Sequence, residues 1–150
     1  MKLRTSFLFI TIALTLGLVR TTTAQESPAD WIKRIFDPTT LGIQQFPNAE
    51  LSRKLSVDAI ILERGGPKRI GVWIIPLDQM RPAAAHFAKQ FGTSAQVNGA
   101  DSAFESHVFD FTSDPKAPAK YKGLKVVITH SPYVDGKGQI TMEYTPPTGN

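Results

Sequence analysis

The side chains best suited to acid–base or metal chemistry are three histidines, His86, His107 and His130, in a chain of 150 residues without cysteine. A zinc centre needs several nitrogen, oxygen or sulfur ligands converging, commonly from short local spacings. No two of these histidines are close in sequence. His107 and His130 can meet across neighbouring strands, near Glu105 or Asp110, and would then serve a small metal-assisted enzyme. His107 and Asp110 point to opposite faces, because residues three apart on a strand do so. His107 shares its face with Phe109 and Phe111, which suits a hydrogen-bonded, half-buried residue. His86 falls on the polar side of its helix and reads as solvated.

Nucleophilic hydrolysis needs a serine or cysteine with a base in reach. No serine lies in a Gly-x-Ser-x-Gly elbow. Ser106 and Ser131 adjoin His107 and His130, but adjacent strand residues project oppositely. Gly65, Gly66 and Lys68 lack the spacing of a phosphate-binding loop and no helix follows them, so they read as a turn. Paired carboxylates have no sequence signature, and nothing nominates a pair. No catalytic residue and no cofactor are expected.

The elements that would position these groups follow from periodicity. Ser27, Pro28 and Asp30 open a short helix as cap, first-turn proline and reciprocal capping acid. Trp31, Ile32, Ile35 and Phe36 give it an apolar stripe, and Asp37 before Pro38 ends it. Residues 55–62 are aliphatic and β-branched and predict a strand. A glycine turn joins them to a second strand, 69–75, apolar on both faces and therefore central, making a hairpin.

Asp78 is suited to cap the main helix, 79–91, whose Met80, Ala83, Ala84, Phe87, Ala88 and Phe91 form a complete stripe. Gly92 ends it. After a loop over 93–102, three strands are predicted: 104–112, 123–130 and 139–145. The order is α-β-β-α-β-β-β. The fold class is α+β, a single antiparallel sheet of about five strands with one main helix packed on one face.

The sheet face left bare by that helix is the expected binding surface. There Trp73 and Val127 would stand beside Lys125 and Thr129, an apolar patch ringed by polar groups. The function this supports is a non-catalytic accessory or binding domain, for an unknown protein or small apolar molecule. A metal-assisted enzyme at His107 and His130, and a structural envelope component, are the alternatives. The short N-terminal helix cannot stand alone in water and is expected to cover part of the sheet.

Destination is written in the first 24 residues. Lys2 and Arg4 precede an apolar run over 7–19, and Thr22 and Ala24 place small side chains before a signal-peptidase cut. Thirteen residues are too few for the ~20 needed to span a bilayer, and Arg20 stops the run. The expectation is a signal peptide over 1–24, cleaved after Ala24. It is followed by a helix and connector over 25–49, an α+β domain over 50–146 and a tail over 147–150. The mature chain would be soluble, periplasmic or secreted, with no integral membrane segment.

No cysteine is present to carry a lipid or a disulfide, which favours a bacterial envelope. Of the 17 basic residues, Lys2, Arg4 and Arg20 leave with the leader, against 13 acids, so the net charge falls from +4 to +1. The remaining positive charges are scattered, which argues against nucleic acid.

One resemblance rests on pattern. Phe46, Pro47, Asn48 and Ala49 precede a predicted hairpin, a strand leads into a helix over 76–92, and a β-meander ends the chain. Over about residues 46–145 this resembles small exported bacterial α+β proteins without a named functional family. The resemblance implies an α+β fold and an envelope location, and no chemistry.

Overall fold

The computed structural model describes residues 27–63, 66–99 and 105–147. The expected leader and the last three residues lie outside them, as do parts of the 63–68 turn and of the loop before residue 105.

One antiparallel sheet of six strands organises the chain. The strands are β1 (Glu50–Leu51), β2 (Arg69–Pro76), β3 (Gln96–Asn98), β4 (Ser106–Asp110), β5 (Leu124–His130) and β6 (Lys137–Tyr144), in the spatial order β1-β2-β6-β5-β4-β3. Three α-helices accompany them among the described residues: α1 (Pro28–Lys33), α2 (Arg53–Leu62) and α3 (Met80–Phe91). The expected α+β class with a helix against an antiparallel sheet is what the chain adopts. β3 falls in the segment read as a loop, and β1 directly follows the connector, where no strand is expected.

The main correction concerns residues 55–62, which form α2 and not a strand. No hairpin therefore joins them to β2, whose long partner is β6, from Arg69 opposite Tyr144 to Pro76 opposite Lys137. Both periods fit this stretch. Leu55, Val57, Ala59 and Ile61 alternate, while Leu55, Ala59 and Leu62 recur at helical spacing. Local helix signals decide it. Ser52 caps the helix by accepting from Leu55 N–H at 3.4 Å, and Lys54 bonds Asp58 one turn on at 2.9 Å.

α3 starts differently from the expected Asp78 cap. A 3-10 turn, Leu77–Gln79, leads into it, and Met80 N–H bonds Leu77 O, so backbone does the work assigned to a side chain. Gly92 ends it at φ 68° as expected. α1 has the full capping box of Ser27 and Asp30 but stops at Lys33. Ile32, expected in its apolar stripe, is 56% exposed and faces solvent. Ile35 leaves the helix to bridge Ile70 in parallel, Phe36 N–H bonding Ile70 O at 3.2 Å.

The two sheet faces do different jobs. On the front, α3 lays Ala83, Ala84, Phe87 and Phe91 over Trp73, Phe109, Val126, Ile128, Ile140 and Met142. Phe36 and Ile43 complete this core, so the N-terminal segment is part of the packed domain. On the back, α2 sets Ile60 on Ile70 and Val72, with Trp31 and Ile35 against the same cluster. The expectation that the N-terminal helix packs on the domain is met through α2 and β2. Gly71 lacks a side chain because the Trp73 indole fills that place; a Cβ there would lie 2.7 Å from its Cζ3.

Candidate functional site

α2 crosses only one margin of the back face, and its docking is specific. Ser52 N–H bonds Val72 O at 2.8 Å, and Ser56 Oγ accepts from Val72 N–H at 2.9 Å. The far end is tied by Lys68, whose ammonium bridges Glu63 at 3.1 Å and Glu143 at 3.2 Å. Between these ties a cleft of about 410 Å³ opens. Leu55, Ala59, Ile61 and Leu62 make its helical wall, and Val72, Gln139 and Thr141 its floor.

Tyr133, from the turn between β5 and β6, stands opposite the helix. That turn is shaped by Ser131, whose hydroxyl accepts from Tyr133 N–H at 3.3 Å and Val134 N–H at 3.2 Å. The rim is apolar and open: Leu62 is 74% and Tyr133 66% exposed. Sequence reasoning missed this site because it treated the helical wall as a strand. The Ser52 cap and the Lys54–Asp58 spacing were the signals that could have found it.

The four residues expected to form a surface divide between the faces. Trp73 is buried in the front core, paired across with Ile140, and its Nε1 has no hydrogen-bond partner among the described residues. Lys125, Val127 and Thr129 lie on the back, half-buried. Val127 stands opposite Thr141, and Thr129 opposite Gln139, one strand beyond the cleft floor. Trp73 is separated from them because it is an odd-numbered residue of β2 whose even neighbours, Ile70 and Val72, face α2.

His107 and His130 both sit on the front half of the sheet. His107 is buried, and its Nε2 lies 2.7 Å from Glu105 Oε1. Arg81 grips the same carboxylate with Nε at 3.0 Å and Nη2 at 2.9 Å. The Arg81 hydrogen bonds, with help from His107, hold the Glu105 carboxyl down at about 2. Both Glu105 oxygens are therefore engaged as acceptors. His130 lines a hollow of about 180 Å³ with Asp78, Arg81 and Glu105.

Among the described residues no group of three or more His, Asp or Glu is placed to hold a metal ion. His86 is not merely solvated. It packs edge-on to Phe46 and Phe87, and its Nε2 meets Gln90 at 2.7 Å beside Gln44 O at 3.1 Å. Gln90 also pairs both ways with the Gln44 backbone, so this trio staples the connector to α3.

No described helix is long and apolar enough to cross a membrane. Compared with models of protein families, with curated proteins and with solved structures, the chain matches none.

Proposed function

We propose that the protein is an exported binding module that holds a small, largely apolar molecule in the cleft between α2 and the back of the sheet. The cleft itself carries this reading. Its volume of about 410 Å³ falls within the ~300–1,000 Å³ of small-molecule sites, and apolar walls with a few polar groups are their usual composition. Its rim leaves Ile61, Leu62 and Tyr133 in water, an arrangement that gains from being covered.

The fluorescent probe N-phenyl-1-naphthylamine is expected to bind the purified protein saturably, one per chain. Leu62→Ser combined with Tyr133→Ser should weaken it about tenfold or more, since each loses apolar contact. The melting temperature should hold, because exposed substitutions usually cost under ~0.5 kcal/mol. Probe uptake that never saturates, or an affinity indifferent to both substitutions, would sink the idea.

Export is supported by the first 24 residues alone: a positive start, a short apolar run and small residues before Gln25. In a bacterial host the periplasmic fraction should contain a chain whose N-terminal residue is Gln25, read by mass spectrometry. A cytosolic chain retaining Met1 would refute it.

A further inference from the structure

Building on the cleft as a binding site, we infer that its ligand is a molecule without an anionic group, with a compact apolar body and one O–H or N–H donor delivered to the side-chain oxygen of Gln139. Gln139 is 9% exposed and lies on the cleft floor. The alternation of β6 aims it there: Ile140 and Met142 enter the front core, while Gln139 and Thr141 face the back.

Its amide nitrogen donates to Thr141 Oγ1 at 3.2 Å, and its oxygen has no hydrogen-bond partner among the described residues. A buried acceptor left without a donor is costly, and native structures carry few of them. The last torsion of a glutamine is broad and soft. The oxygen is sealed from solvent as the side chain stands, so a ligand reaches it by turning that torsion, which carries oxygen and nitrogen together and loosens the 3.2 Å contact with Thr141. A ligand that displaces water from such a group must restore its hydrogen bond or lose affinity.

The surroundings exclude an anionic ligand. Asp58 lines the cleft, paired with Lys54 at 2.9 Å. A carboxylate head would meet that acid and the Gln139 oxygen, two acceptors, and gain a donor from neither. Alcohols, phenols and indole-like N–H compounds meet both demands.

1-Naphthol and 1-methoxynaphthalene share a ring system and differ in the donor. Titrated into the purified protein and followed by ligand fluorescence, naphthol should bind about tenfold or more tightly than the ether. That order opposes their hydrophobicities, so simple partitioning cannot produce it. The gap should close in Gln139→Met. The side-chain amide pair of Gln139 should shift in proton–nitrogen spectra with naphthol and stay still with the ether, a readout that needs no variant. Equal affinities, or a gap that survives Gln139→Met with the amide unmoved, overturn the donor assignment while leaving the cleft as a binding site. Saturable binding of neither compound overturns both.

Discussion

Alanine at Phe87 is expected to cost about 3–5 kcal/mol of unfolding free energy, the usual range for a buried phenylalanine. Phe87 is 0% exposed at the middle of α3. Its ring stacks on Phe91 with centroids 5.9 Å apart and meets His86 edge-on at 5.1 Å. Beneath it lie Trp73, Ile140 and Met142, fixed by the two central strands of the front core. Those strands are paired along their length, so the site can collapse only slightly and the cavity term stays large. Domains of this size are typically stable by only ~5–15 kcal/mol, so the variant should lie near the edge of folding.

Urea unfolding of Phe87→Ala against Ile32→Ala, whose side chain is largely exposed, provides the comparison. A loss below about 1 kcal/mol at Phe87 would mean that α3 does not seal the front core as described. Because the cleft lies on the other face, whatever fraction of Phe87→Ala is folded should bind the naphthylamine probe as the unaltered protein does.

The front of the molecule was legible because one period dominated each segment. Met80, Ala83, Ala84, Phe87 and Phe91 leave no strand alternative, and Leu124, Val126 and Ile128 leave no helical one. All eight are buried in the same core. The back was not legible, because residues 55–62 satisfy both periods and contain Val57, Ile60 and Ile61, β-branched residues that favour strands. The strand reading left a bare sheet face, and Lys125, Val127 and Thr129 followed as its surface.

Once α2 occupies one margin of that face, the accessible apolar space moves one strand over, to the groove floored by Gln139 and Thr141. Glutamine on the wet face of a strand gives no hint of its burial. The cleft that Gln139 floors takes its wall from a helix 77 residues earlier in the chain, counted from Leu62, and no local pattern reports such a meeting.

Alanine at Ser56 should lower unfolding free energy by about 1–3 kcal/mol and weaken probe binding with it. β1 pairs with β2 only through Glu50 with Ile74 and Leu51 with Trp73. Between Trp73 and the Ile35 bridge at Ile70, the outer edge of β2 has no strand beside it among the described residues, and Val72 would present an open N–H and C=O. Ser52 N–H takes the carbonyl, and the Ser56 hydroxyl takes the N–H at 2.9 Å while donating to Ser52 O at 2.8 Å.

Ser56 is completely buried, so water cannot replace the hydroxyl without prising α2 from the sheet. Alanine removes two hydrogen bonds and leaves the Val72 N–H dry and unpartnered, the costlier half of the loss. Exchange of the Val72 amide should accelerate more than that of Met142, whose strand is flanked on both sides. The same hydroxyl sets the distance between the cleft's helical wall, Leu55 and Ala59, and its floor at Val72. Stability within ~0.5 kcal/mol of the unaltered protein, together with an unchanged probe affinity, would show that α2 is held by Ile60 and the Lys68 bridge alone, with the Ser56 clasp contributing nothing.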